Sequence, residues 1–118
     1  MVVKVHATFT PLRMILKRRE PIEFKVTVVN QDTRARHVTL KTALSNELAF
    51  DRGGLKASLV ERVESLKPKQ EKTFYYQIFP KVSTNPGSKF VRIQLYEHGE
   101  NFSQIHSEKT ETLELQVE

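Results

Sequence analysis

Between Ile22 and Asn30 the chain reads IEFKVTVVN, with Ile22, Phe24, Val26 and Val28 of one parity and Glu23, Lys25 and Thr27 of the other. In an extended chain successive side chains point to opposite faces, so this alternation predicts a half-buried β-strand. A turn-favouring stretch, N-Q-D-T-R, closes it, and a second alternating run follows with Val38, Leu40 and Leu44 interleaved with Thr39, Lys41 and Ala43. The same pattern recurs along the chain. Val3, Val5, Ala7 and Phe9 share odd parity; after Thr10-Pro11, Leu12, Met14 and Leu16 share even parity. The first strand is therefore expected to kink and change face at Pro11, a residue tolerated where no neighbouring strand needs its missing N–H.

Downstream, Phe74, Tyr76 and Ile78 alternate with Tyr75, Gln77 and Phe79. Val91, Ile93 and Leu95 form a further inward set, and Leu113, Leu115 and Val117 alternate with Glu114, Gln116 and Glu118 in the last strand. The segment SNELAFDRGG reads as a loop or a short strand, and HGENFSQIHSEK as a polar loop. One run fits two templates. Leu55, Leu59, Val63 and Leu66 match an amphipathic helix as well as a strand, but Leu66-Lys67-Pro68-Lys69-Gln70 turns directly into the Phe74 strand. That context favours a strand over Leu59–Leu66, and the shortness of the turn predicts that it hydrogen-bonds to the Thr73–Phe79 strand. About seven strands, the first one kinked, are best buried as two packed antiparallel sheets. At 118 residues the chain has the size of one domain, taken as residues 1–118.

The ordered elements EPIEFKVTVVNQDTRARHVTL, VESLKPKQEKTFYYQIFP and NPGSKFVRIQLYE resemble the immunoglobulin-like accessory modules of archaea and bacteria that include the cell-adhesion-related CARDB domain. The points of likeness are the strand ending in Asn30, the leucine-proline turn over Leu66 to Gln70 and the Asn85-Pro86-Gly87 turn; Glu20-Pro21 and Lys69-Gln70 stand where that family usually has Gly. The resemblance implies an all-β immunoglobulin-like sandwich of Greek-key type. It implies little about function, because the matching motifs are turn and core chemistry and one sandwich hosts many tasks.

Composition narrows the chemistry. With no cysteine, neither a disulfide framework nor a thiolate metal site nor a thiol nucleophile is available. The glycines, Gly53, Gly54, Gly87 and Gly99, form no phosphate-cradling motif, and no serine sits in a nucleophile context. An enzyme is not expected, nor a cofactor. No apolar run approaches the ~20 residues that cross a bilayer, so membrane insertion is not expected either. The start, MVVKVHATF, lacks a signal-peptide profile, which predicts a cytoplasmic protein if the chain is complete and an extracellular one if it is a domain of a longer exported chain.

Two ends of such a sandwich differ in charge. One collects His37, His98 and His106 with Glu97 and Glu100 beside them, ligand types for zinc, yet at no spacing that would force two of them onto one ion. They read as solvated loop histidines, and no metal site is expected. At the other end Lys17, Arg18, Arg19, Arg52, Lys56, Lys81 and Lys89 outnumber Glu20 and Asp51, within a chain carrying 19 Lys and Arg against 14 Asp and Glu. This basic end is the candidate partner-binding site. The expected function is that of a non-catalytic binding or accessory module, toward another protein. The alternative is a polyanion or nucleic-acid binder acting through the same cations, although no ladder of exposed aromatics for stacking bases accompanies them beyond Tyr75 and Tyr96.

Overall fold

The computed structural model describes residues 2–99 and 101–118. Among the described residues seven long strands form: β1 (Val3–Thr10), β3 (Ile22–Asn30), β4 (Arg36–Leu44), β6 (Ser58–Leu66), β7 (Glu71–Pro80), β8 (Gly87–His98) and β9 (Ile105–Val117). Two short ones join them, β2 (Arg13–Met14) and β5 (Leu48–Ala49), together with a single 3-10 turn at Leu16–Arg18. They make a four-stranded sheet in the order β1-β3-β7-β5 and a five-stranded sheet in the order β2-β9-β8-β4-β6. Consecutive strands change sheet at every connection but one: only β8 and β9 are hydrogen-bonded neighbours in sequence. The architecture is an immunoglobulin-like β-sandwich.

The parity of the strands decides the core. Phe24, Val26, Val28, Leu40, Ile78, Ile93 and Leu95 are at most 1% exposed and interlock between the two sheets with Val38, Val63, Leu66, Val91 and Leu115. Phe9, Phe24 and Tyr76 occupy one row across three strands, with Phe24 stacked 5.2 Å from Phe9 and tilted 6.5 Å from Tyr76. The kink of the first strand carries the chain from one sheet to the other. Met14 follows its predicted parity and is buried, whereas Leu12 is 77% exposed, because it lies in the crossing and no sheet fixes its face.

The Leu59–Leu66 run is a strand, as its context suggested, and Leu55 lies in the preceding loop. Its expected partner was wrong. β6 pairs antiparallel with β4, not with β7. Ser65 (φ 53°) and Lys69 (φ 63°) stand in left-handed conformation on either side of the Pro68 turn, and the turn bonds to the end of β3 instead of closing a hairpin. The Lys69 N–H donates to the Asn30 carbonyl at 2.7 Å and the Asn30 N–H to the Gln70 carbonyl at 3.2 Å. The buried Asn30 amide completes the corner, donating to the carbonyls of Arg34 and Leu66 and accepting from the Asp32 N–H. A short connection is a hairpin only if its dihedrals return the chain along its own sheet, and this one steps across.

Between the sheets the Tyr76 hydroxyl donates to Glu61 of β6 at 2.9 Å. Burial, and the hydrogen bond to the Glu61 carboxylate, push the Tyr76 phenol well above the usual tyrosine range. An unfolded chain would lose this proton near pH 10 while the folded chain retains it, so the raised value contributes stability below pH ~10 that is lost as pH rises beyond it. Urea melts from pH 8 to 11 should show wild type losing stability faster than Tyr76→Phe above pH ~10. Parallel slopes for the two proteins would show that the phenol is not held protonated by the fold.

Candidate functional site

The connections β2–β3, β4–β5–β6 and β7–β8 meet at one end of the sandwich, and they bring the predicted cations to it. Leu16–Arg18 forms the 3-10 turn, and Arg19 follows it with φ 51°, which points the chain back toward β3. The Arg19 guanidinium donates to the Lys81 carbonyl at 3.3 Å. The Lys81 N–H in turn donates to the Glu47 carbonyl at 3.0 Å, and the Thr84 hydroxyl reaches the same oxygen at 2.6 Å. Asp51 organises the loop before β6 by accepting the N–H groups of Leu55 and Lys56 at 3.0 and 2.7 Å. Its turn passes through Gly54 at φ 76°, where the Lys81 stem lies against the backbone and a Cβ would stand 3.4 Å from it.

The seven cations do not act alike. Lys89 is ion-paired with Glu47, and the hydrogen bond from that ammonium holds the Glu47 carboxyl below the usual carboxylate range. Its charge is therefore spent within the fold. Arg19 and Arg52 border a cleft of about 290 Å³ together with Phe79, Pro80 and Val82. The Arg52 guanidinium carbon lies 5.5 Å from the Phe79 ring centroid, a cation–π placement that leaves the donors free at the rim. Lys17, Arg18 and Lys56 are exposed around the same end, and Arg18 borders a separate, smaller hollow with Pro11 and Pro21. Val82 and the exposure of Leu55 were missed in the sequence, whereas the outward parity of Phe79 was legible. Val82 and Leu55 are 93% and 91% exposed, and Phe79 is partly covered beneath Arg52. The signal was present in Lys81-Val82 after the β7 proline: a branched apolar residue in a polar loop, out of phase with any strand.

At the opposite end the histidines are brought together on strands, not in loops, and of the three only His106 is exposed. His37 and His98 are register partners of β4 and β8, and His98 is only 5% exposed. His98 Nδ1 lies 3.1 Å from the Gln104 carbonyl, which can only accept, so that nitrogen carries the proton; Nε2, 2.7 Å from the Thr39 hydroxyl, accepts from it. His37 Nδ1 accepts the Ser65 N–H at 3.1 Å. His106 stands on β9, which begins at Ile105 within the expected loop, because the β8–β9 hairpin turn closes as early as Gly99–Gln104. Its ring lies so near Gly99 that a Cβ there would meet Nε2 at 2.8 Å. Glu97 points into the core, and Glu100 lies outside the described residues. Among the described residues no three potential ligands converge on a metal position.

No known protein-family model matches the chain, and no curated protein matches its sequence. Its fold recurs widely among solved structures. A structure of native alpha-2-macroglobulin from Escherichia coli, from domain MG7 to the C-terminus, is similar over 98% of this chain, with a TM-score of 0.70 at 9% identity. BcpA, the major pilin subunit of Bacillus cereus, is similar over 98% with a TM-score of 0.67 at 9% identity. A FixG-related protein from Vibrio parahaemolyticus is similar over 99%, with a TM-score of 0.60 at 8% identity. This chain spans 16% of the macroglobulin fragment, 40% of the pilin and 97% of the FixG-related protein. At such identities the likeness is one of fold, and the fold it establishes is the immunoglobulin-like sandwich.

Proposed function

We propose that this chain is a non-catalytic binding module, akin to the accessory sandwiches of the cell-adhesion-related group, that docks an acidic, apolar-bearing segment of another protein on its basic end. The observation carrying this reading is the cleft in which Arg19 and Arg52 flank Phe79, Pro80 and the exposed Val82. Among the described residues neither arginine has a carboxylate within ion-pair distance. Cations beside exposed apolar side chains complement a peptide that alternates carboxylates with leucine-like residues, whereas a phosphate backbone would gain nothing from Val82 and Leu55.

A ten-residue peptide alternating Glu and Leu should perturb the amide resonances of Arg19, Arg52 and Val82. Combined Arg19→Gln and Arg52→Gln should weaken its binding about tenfold or more, equivalent to at least ~1.4 kcal/mol. Generic DNA or RNA should bind weakly at low salt, with a log–log salt slope equivalent to one or two phosphate contacts, roughly −1 to −2. A steep slope that collapses when Lys17, Arg18 and Arg19 are all changed to Gln would overturn the protein-docking reading in favour of a polyanion binder.

A further inference from the structure

A second recess lies on the outer face of the five-stranded sheet, away from the basic end. Its floor is Thr39 of β4 and the buried His98 of β8, whose two ring nitrogens are both committed to hydrogen bonds, so the floor is rigid. Its walls are two flat rings, Tyr96 on β8 and Phe102 on the β8–β9 turn, the latter set edge-on against His98 at 5.0 Å and tilted against His37 at 5.3 Å. Over each ring hangs a cation. Lys41 Nζ lies 5.1 Å from the Tyr96 centroid, and the Arg62 guanidinium carbon lies 5.5 Å from that of Phe102. Strand register explains the placement: Arg62, Thr39 and Tyr96 are consecutive partners across β6, β4 and β8, with Lys41 two residues along β4 from Thr39.

Three properties define what would fit. The recess has a volume of about 130 Å³, close to the ~150 Å³ that admits a benzene ring. Two of its walls are aromatic rings, which offer apolar surface to a planar group. Among the described residues neither of its two cations has a carboxylate within ion-pair distance, so both charges are available to an anion entering the recess. We infer that this recess binds a small aryl carboxylate, with the ring between Tyr96 and Phe102 and the carboxylate between Lys41 and Arg62. The guanidinium presents a planar fork to the carboxylate, and the lysine adds a point charge from the other side.

Benzoate is the direct probe. Titrated into the ¹⁵N-labelled protein, it should give saturable shifts at Thr39, Lys41, Arg62, Tyr96 and His98. Acetate, which has the charge without the ring, and benzyl alcohol, which has the ring without the charge, should each bind about tenfold more weakly or worse. Lys41→Gln with Arg62→Gln should weaken benzoate by at least about tenfold; both side chains are exposed, so an unchanged melting temperature should accompany the loss. Phe102→Ala should weaken benzoate while leaving acetate unchanged, which separates the ring wall from the charge. The inference is overturned if benzoate gives no saturable shift at tens of millimolar, if inorganic phosphate or acetate binds as tightly, if the shifts map to Arg19 and Arg52, or if the double variant binds undiminished.

Discussion

Phe24→Ala is expected to cost about 3–5 kcal/mol of stability, the range for truncating a fully buried aromatic side chain whose surroundings cannot collapse. Phe24 has no exposed surface and stands in the middle strand of the Phe9–Phe24–Tyr76 row, so its loss opens a void bounded by rings on two neighbouring strands and by the opposite sheet. Neither neighbour can fill it without leaving its own strand position. A domain of this size has ~5–15 kcal/mol in total, and the melting temperature should fall by roughly 10–25 °C. The control is Tyr75→Ala, one residue along β7 from Tyr76 but 62% exposed, which should change stability by about 0.5 kcal/mol or less. Urea denaturation of both variants with an unchanged m-value checks the expectation. A Phe24→Ala cost below about 1 kcal/mol would mean that this row is not the centre of the core.

The contrast between Phe24 and Tyr75 was legible in the sequence because period two is a local property: once a segment is extended, parity assigns each side chain to a face. The same holds for Ile93 and Leu95, and it placed β3, β4, β7 and β8 and the kink at Pro11. Strand partners are not local. The sheet that receives β6 depends on the dihedrals of Ser65 and Lys69 and on the hydrogen bonds by which Asn30 holds the Pro68 turn, and nothing in Ser65-Leu66-Lys67-Pro68-Lys69-Gln70 announces a left-handed serine or lysine. Topological reasoning did collect Arg19, Arg52 and Lys81 at one end and His37 and His98 at the other, because loops of alternate connections must share an end. It could not see that Glu47 takes Lys89 out of the basic set, or that Phe102 turns back onto His98. Those contacts join residues across 42 positions in the first case and through a tight turn in the second.

The same distance in sequence hides the contact that fastens the first strand to the opposite sheet. Glu97 has the parity of Ile93 and Leu95 and is only 4% exposed, a position where a carboxylate is costly unless every oxygen is satisfied. Here the oxygens are satisfied. One accepts the N–H groups of Val2 and Val3 at 3.0 and 2.7 Å, the other the Ser107 hydroxyl at 2.7 Å. Glu97→Leu would remove the acceptor and keep an apolar side chain of similar reach, leaving two backbone donors at the start of β1 without a partner. At about 1–3 kcal/mol for each orphaned group, offset in part by the lower cost of burying leucine, a net loss of about 2–4 kcal/mol is expected. Glu97→Gln retains one acceptor oxygen and should lose less, about 1–2 kcal/mol, because a neutral amide accepts more weakly than a carboxylate. Hydrogen exchange reports the local consequence: the Val3 amide, protected in wild type, should exchange faster in both variants, while Val26 in the middle of β3 keeps its protection relative to global stability. Full stability in Glu97→Leu with a protected Val3 amide would show that β1 is held by its pairing with β3 alone and that the buried carboxylate contributes nothing to closing this end of the sandwich.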